Sequence, residues 1–347
     1  MASPNFLAII LSYFLLLSIS TVDGKIAQKF GCDIFKGNWV YDNSYPLYDS
    51  RQCPFIETQF DCQKNGRPDK EYMKYRWQPS GCPLPRFNGV DFLRKIRGKK
   101  LIFVGDSLSL NQWQSLTCLL HTALPLAPFT SHTLYGLSTF YFPGYDASLL
   151  FYRNAFLVDL VDKPNEGRVL LLDSITNSRV WGEMDILVFD TWHWWLHTGR
   201  KQPWEWIAHG NKVVEDMDRL VAYEIALNTW ANWIDTHVDP SKTQVFFQGV
   251  SPDHFSSGIR NCGGHTRPLA GGGGPAVPAA ELVLQKILNS MATPVQLLDV
   301  TALSQLRIDA HPSFYGGHGV HAAVDCTHWC LTGLPDIWNH FLYAMLR

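Results

Sequence analysis

From residue 99 onward, short apolar runs alternate with longer stretches whose apolar residues recur at helical spacing. Lys100–Gly105, Met184–Asp190, Thr243–Gly249 and Val295–Val300 are runs of strand length, and they predict buried strands. Leu108–His121, Ala279–Met291 and Leu334–Leu346 carry apolar residues three and four apart and predict helices. Asn211–His237 reads as one long amphipathic helix through Val213, Val214, Met217, Leu220, Val221, Ile225, Trp230 and Trp233. Strands alternating with helices predict an α/β fold with a mostly parallel central sheet. Leu269–Val277, with four consecutive glycines, reads as a mobile surface loop.

Residues 25–98 have another texture. Turn-formers such as Asn65-Gly66-Arg67-Pro68-Asp69 recur, long helical periodicity is lacking, and four of the eight cysteines fall here. The stretch predicts a loop-dominated, disulfide-held N-terminal segment packed on a main body at 99–347. Before it, an apolar run from Phe6 to Ile19 is short for a membrane span. It suits a signal-peptide core at 1–24, cleaved after Gly24, or an uncleaved anchor. The even cysteine count behind such a leader predicts four disulfides and a secretory compartment.

Composition narrows the class of function. At 46% hydrophobic and 17% charged the chain is globular, not disordered. A net charge of −2 without blocks of like charge argues against nucleic acid as a partner on electrostatic grounds. Thirteen Trp and thirteen Tyr serve core packing first, and a few can offer flat faces to sugar rings.

The candidate chemistry lies in two segments far apart in the chain. Gly105-Asp106-Ser107 ends the first predicted strand and opens a helix, where helix-terminal amides can stabilise an oxyanion. By itself this is equally a strand-to-helix turn with Ser107 as N-cap. Asp325-Cys326-Thr327-His328-Trp329 supplies a partner: Asp325 and His328, three apart, can share one face of a turn. The carboxylate can then orient an imidazole whose other nitrogen meets a serine. Cys326 and Cys330 would pin that turn. A metal reading through His311, His318, His321 and His328 lacks clean ligand spacing, and no metal is expected. Asp190-Thr191-Trp192-His193-Trp194-Trp195 follows the second strand, so it reaches the same sheet edge as Ser107. It reads as an aromatic cap or as a cleft wall. In the second case Gly105, Asp106, Asn111, Asp190, His193, Trp194 and Arg200 are oxyanion or substrate contacts.

Read in order, these motifs resemble the plant trichome birefringence-like family, polysaccharide O-acetyltransferases built on an SGNH/GDSL-esterase-like fold. The resemblance runs through Cys32-Asp33-Ile34-Phe35-Lys36-Gly37-Asn38-Trp39, Asn65-Gly66-Arg67-Pro68-Asp69, Trp77-Gln78-Pro79, Gly105-Asp106-Ser107 and Asp325-Cys326-Thr327-His328-Trp329-Cys330. It implies a three-layer sandwich and a triad of Ser107, His328 and Asp325. It implies an acetyl-serine intermediate passed to a cell-wall polysaccharide acceptor (xylan, another hemicellulose or pectin), with no tightly bound cofactor. The acetyl donor would come from elsewhere, a membrane protein among the sources, in the Golgi lumen or the wall. It further implies the disulfides Cys32–Cys82 and Cys53–Cys118; Cys62 and Cys262 are then left to pair with Cys326 and Cys330 in either order, taken as Cys62–Cys326 and Cys262–Cys330. This chain has Asp190 where many members have Asn, and Thr327 where Ser is commoner. A secreted pectin acetylesterase with the same triad and a non-catalytic polysaccharide-binding protein are the competing readings.

Overall fold

In the computed structural model, the described residues are 31–254, 262–270, 276–317 and 324–347. The predicted leader at 1–24, the glycine run at 271–274, His318 and His321 lie outside them. The N-terminal segment contributes β1 (Gly37–Tyr41) and β2 (Tyr75–Pro79), an antiparallel pair, and then α1 (Gly89–Lys95). The main body begins with β3 (Lys100–Gly105) and α2 (Ser107–Ala123). Next come β4 (Thr130–Leu134), β5 (Leu137–Phe142) and β6 (Ala147–Arg153), then β7 (Asp159–Lys163), β8 (Gly167–Leu171) and β9 (Ile186–Phe189). The chain continues through β10 (Trp206–His209), β11 (Lys212–Val214), α3 (Arg219–His237) and β12 (Gln244–Gln248). It closes with α4 (Ala279–Ser290), β13 (Val295–Leu298), α5 (Thr301–Gln305) and α6 (Leu334–Met345).

The main sheet has the order β13-β12-β9-β3-β6-β5-β4. Its first five strands run parallel, and β5 and β4 add an antiparallel edge. The central parallel strands β3, β9 and β12 are mainly apolar because both faces are covered. Leu101 and Phe103 of β3 enter one core with Trp329, Trp338 and Phe341. Ile102 and Val104 enter the other with Trp230 and Leu284. Helices α2 and α6 and the N-terminal segment cover the first face; α3 and α4 cover the second.

Two departures from the sequence reading have clear causes. Residues 211–237 are not one helix: Lys212–Val214 is a strand paired with β10, with Val213 and Val214 exposed. The helix starts only after Asp218, whose carboxylate accepts the N–H groups of Leu220 and Val221 and so caps it. The hairpin β4–β5 and the strand β6 escape the apolar-run criterion because their residues are partly polar and exposed. Its turn at Tyr135-Gly136 has positive φ at both positions, as a two-residue hairpin turn of this hand needs.

A buried polar network joins α2 to α6. Asp336 accepts hydrogen bonds from Ser115 Oγ (2.6 Å), Gly333 N–H (3.0 Å) and Tyr48 Oη (3.4 Å). Asn339 donates to Ser115 Oγ and to the Gln112 carbonyl. Burial pushes the Asp336 carboxyl up to about 7, against the pull of those donors. A raised carboxyl favours the fold fully below its unfolded value of about 4 and loses that contribution as pH rises through about 7. The stability of the native protein relative to Asp336→Asn should therefore fall between about pH 4 and pH 7 in denaturant unfolding. A difference that stays constant across that window would contradict this.

Candidate active site

Strand β3 delivers Gly105, and Asp106 caps α2 through its Oδ1, which accepts the Leu108 N–H at 2.8 Å. Ser107 is thus the first residue of α2, at the carboxyl edge of the sheet. Gly105 is required there: a Cβ would collide with the Asp190 carbonyl and the Ser109 hydroxyl. Ser107 Oγ lies 2.7 Å from His328 Nε2, and His328 Nδ1 lies 2.8 Å from Asp325 Oδ2. Asp325 Oδ1 accepts the backbone N–H groups of Thr327 and His328, both at 3.0 Å. Burial alone would raise the Asp325 carboxyl. The His328 hydrogen bond and charge and the two backbone donors outweigh it, holding the group well below the usual carboxylate range. The array can take a proton from Ser107 onto His328 and stabilise the resulting imidazolium with Asp325.

The turn carrying His328 is fixed from four sides. Asn111 of α2 spends its whole amide on Trp329: Nδ2 donates to the carbonyl (3.1 Å) and Oδ1 accepts the N–H (2.8 Å). His311 Nδ1 donates to the His328 carbonyl at 2.6 Å, and its ring stacks on Trp329 at 3.9 Å. Asp325 and Ser313 exchange both backbone hydrogen bonds. Two disulfides bracket the turn, Cys62–Cys330 and Cys262–Cys326.

This pairing corrects the expected Cys62–Cys326 and Cys262–Cys330; Cys32–Cys82 and Cys53–Cys118 are also present. The reason is one of reach. Phe60 packs 5.5 Å from the His328 ring and accepts the Leu331 N–H, which sets Cys62 beside Cys330. Cys262 instead meets Cys326, donating its N–H to that sulfur.

The N-terminal segment holds this wall through the Asn65–Asp69 turn, a function that sequence reasoning missed. Arg67, buried with its guanidinium 3.8 Å from the centre of the Tyr72 ring, donates to the carbonyls of Asp309 (2.7 Å) and His311 (2.9 Å). Asn65 donates to the Tyr315 carbonyl. The signal available in the sequence was an Arg between turn residues, which reads equally well as a surface charge.

The other predicted contacts divide. Asn111 is fully buried and bonded to Trp329 through both amide atoms, so it is out of reach of substrate. His193 stands at the site, its ring 6.4 Å from His328 and 5.0 Å from His197, with burial lowering its basicity. Trp194 is half-buried beside His197, and Arg200 is exposed on the Gly199–Lys201 turn. Trp195 is core, packed on Phe156, Trp204 and Tyr223. Both ring nitrogens of His328 and of His311 are engaged, leaving none for a metal. Among the described residues no His, Cys, Asp and Glu cluster has metal-ligand geometry.

Asp190 does not face the reacting oxygen. Its carboxyl accepts the Ser109 hydroxyl (3.4 Å) and the Ser109 N–H, and it meets the Asp106 carboxyl. Burial, then the Asp106 charge, push Asp190 well above the usual carboxylate range. A protonated Asp190 can donate to Asp106 Oδ2, which otherwise has no donor. The neutral acid then does what an Asn amide would do. Asp106 holds the Leu108 amide and Asp190 the Ser109 amide, so the remaining amide at the helix start is that of Ser107 itself.

Comparison with known proteins agrees with this architecture. Residues 84–345 match the model of the PC-Esterase family, described as a GDSL/SGNH-like acyl-esterase family found in Pmr5 and Cas1p. Residues 30–83 match the PMR5 N-terminal domain. The chain is 60% identical to protein trichome birefringence-like 43 of Arabidopsis thaliana, over 93% of this chain and 90% of that one. It is 50% identical to protein trichome birefringence-like 41 of the same plant, over 99% and 97%. The disulfides fit an oxidising, secretory-pathway setting. Among the described residues no helix is long and apolar enough to cross a membrane.

The carboxyl pair makes a direct prediction. Asp190→Asn keeps a donor for Asp106 and should unfold within about 1 kcal/mol of the native protein, whereas Asp190→Ala orphans Asp106 Oδ2 and should cost about 1–3 kcal/mol. Denaturant unfolding of both variants measures this, and equal losses would contradict a donated proton.

Proposed function

Because this chain belongs to the trichome birefringence-like family and carries its GDSL/SGNH-like acyl-esterase domain, we propose that it moves acetyl groups onto a plant cell-wall polysaccharide. The observation that carries the proposal is the unbroken Asp325–His328–Ser107 chain of contacts, at 2.8 and 2.7 Å.

In the first half-reaction His328 Nε2 takes the Ser107 proton as Oγ attacks the acetyl carbonyl of the donor. The tetrahedral oxyanion forms at the start of α2, where the helix dipole and the Ser107 N–H favour negative charge. His328 returns the proton to the leaving group, and the acetyl is left as an ester on Ser107. In the second half a sugar hydroxyl loses its proton to His328 and attacks that ester; collapse restores Ser107 Oγ–H from His328. Asp325 stays ionised throughout and keeps the Nδ1–H of His328 oriented. The acceptor is a wall polysaccharide, xylan, another hemicellulose or pectin. The donor is an acetyl carrier delivered by a membrane protein, and the setting is the Golgi lumen or the wall. No step calls for a bound cofactor.

Ser107→Ala should lower turnover of an activated acetyl ester by about 10³-fold or more. Turnover at the native rate in the folded variant would remove Ser107 from the mechanism. Adding xylo- or galacturono-oligosaccharides with an acetyl donor should give acetylated oligomers by mass spectrometry. Free acetate as sole product would make the protein an esterase instead.

A further inference from the structure

The chain enters the parallel part of the sheet at β3, adds β6 on one side, and then adds β9, β12 and β13 on the other. The strand order therefore reverses between β3 and β9, and open α/β sheets bind ligands outside the carboxyl ends of their strands, above all around such a reversal. On the β6 side of this point a cavity of about 270 Å³ opens. Its wall includes Tyr152, Arg153, Asn154, Asn177 and Trp194.

This wall is tied to the reacting residues. Arg153 pairs with Gly105 across β3 and β6, two positions before Ser107. Asn154 donates its backbone N–H to the Gly105 carbonyl at 2.9 Å. Thr191, next to Asp190, donates its hydroxyl to the Ala155 carbonyl at 2.6 Å. Trp194 follows His193, whose ring faces His328.

Resting on the acetyl-transfer reading above, we infer that this cavity is the subsite for one pyranose ring of the polysaccharide, beside the ring whose hydroxyl reacts. Its volume lies just below the roughly 300–1,000 Å³ of drug-sized ligand sites, which suits one ring and not a chain segment. The Trp194 indole offers a flat apolar face to the C–H groups of a sugar ring. The Arg153 guanidinium lies over the Phe151 ring, 5.9 Å from its centre, with no acidic partner among the described residues, and the Asn154 side-chain amide has no hydrogen bond among them, so N–H groups of both are available to ring oxygens. The one carboxylate in the wall, Asp159, is already spent on Ser174 Oγ (2.6 Å) and the Thr176 N–H (2.8 Å).

The test is binding of unacetylated xylohexaose and hexagalacturonate to the full chain by isothermal titration calorimetry, which also separates a neutral from an acidic pyranose. One of the two should bind. Trp194→Ala should weaken that binding about tenfold, the scale of one lost ring contact. Arg153→Ala, at an exposed position where the fold is not at stake, should weaken it severalfold. Failure of both sugars to bind the native chain, or native affinity in Arg153→Ala and in a folded Trp194→Ala, would overturn the subsite. A fluorophosphonate probe for a reactive Ser107 separates the two failures. Labelled Ser107 with unchanged sugar affinity sinks the subsite alone, and unlabelled Ser107 sinks the acyl-transfer reading.

Discussion

The His328 ring must stay within hydrogen-bond reach of a serine 221 positions away in the chain, and the rest of the structure is arranged around that contact. A hydrogen bond between two side chains is worth only about 1 kcal/mol net, so it cannot hold two distant segments together by itself. Its geometry must be inherited from stronger constraints. Three are visible. Asn111, one turn along the helix that Ser107 starts, grips both backbone groups of Trp329, so nucleophile and base ride on directly bonded elements. His311 holds the His328 carbonyl and stacks on Trp329. Two disulfides close the turn on either side of His328. Such preorganisation is what converts a weak contact into a usable proton path.

The N-terminal segment then has a physical purpose that needs no contact with substrate. Cys62 crosses to Cys330, and Arg67 satisfies backbone carbonyls of the Asp309–His311 stretch behind the histidine. A buried guanidinium is costly unless its donors are used, and here they are spent on the wall that carries the base. The β1–β2 pair joins the same core as α6, with Trp77 in that core and the Trp39 indole donating to the Leu303 carbonyl. The segment is thus a buttress. Its motifs and those of the catalytic body meet at one wall, which explains why they occur together in one chain.

How legible this was in the sequence depended on the kind of interaction. The strands Lys100–Gly105 and Gln244–Gln248 were readable because burial on both faces leaves a continuous apolar run. Helix α6 was readable because apolar spacing survives even in full burial. The first turn of the supposed helix at 211 was not, because a two-residue turn at Gly210-Asn211 and the Asp218 cap overrode the periodicity of Val213 and Val214. The Ser107, Asp325 and His328 positions could be named from motif order, and their contact is a tertiary fact. Asn111, Asp190 and Arg67 show the limit. Each is polar and near a motif, which suggests substrate contact or a surface charge, but each is buried and spent on the protein itself. Sequence spacing cannot distinguish a donor aimed at a ligand from one aimed at a carbonyl brought close by the fold.

The central claim is that Ser107, activated by His328, carries the acyl group. It is tested most directly by mixing the full chain with an activated acetyl ester, quenching in acid and mapping the peptides by mass spectrometry. One acetyl group is expected on the peptide bearing Ser107, at the serine oxygen, which decays when an oligosaccharide acceptor is present and does not form in His328→Ala. Product formation with no acetyl on Ser107, or with the acetyl on another residue, would contradict it.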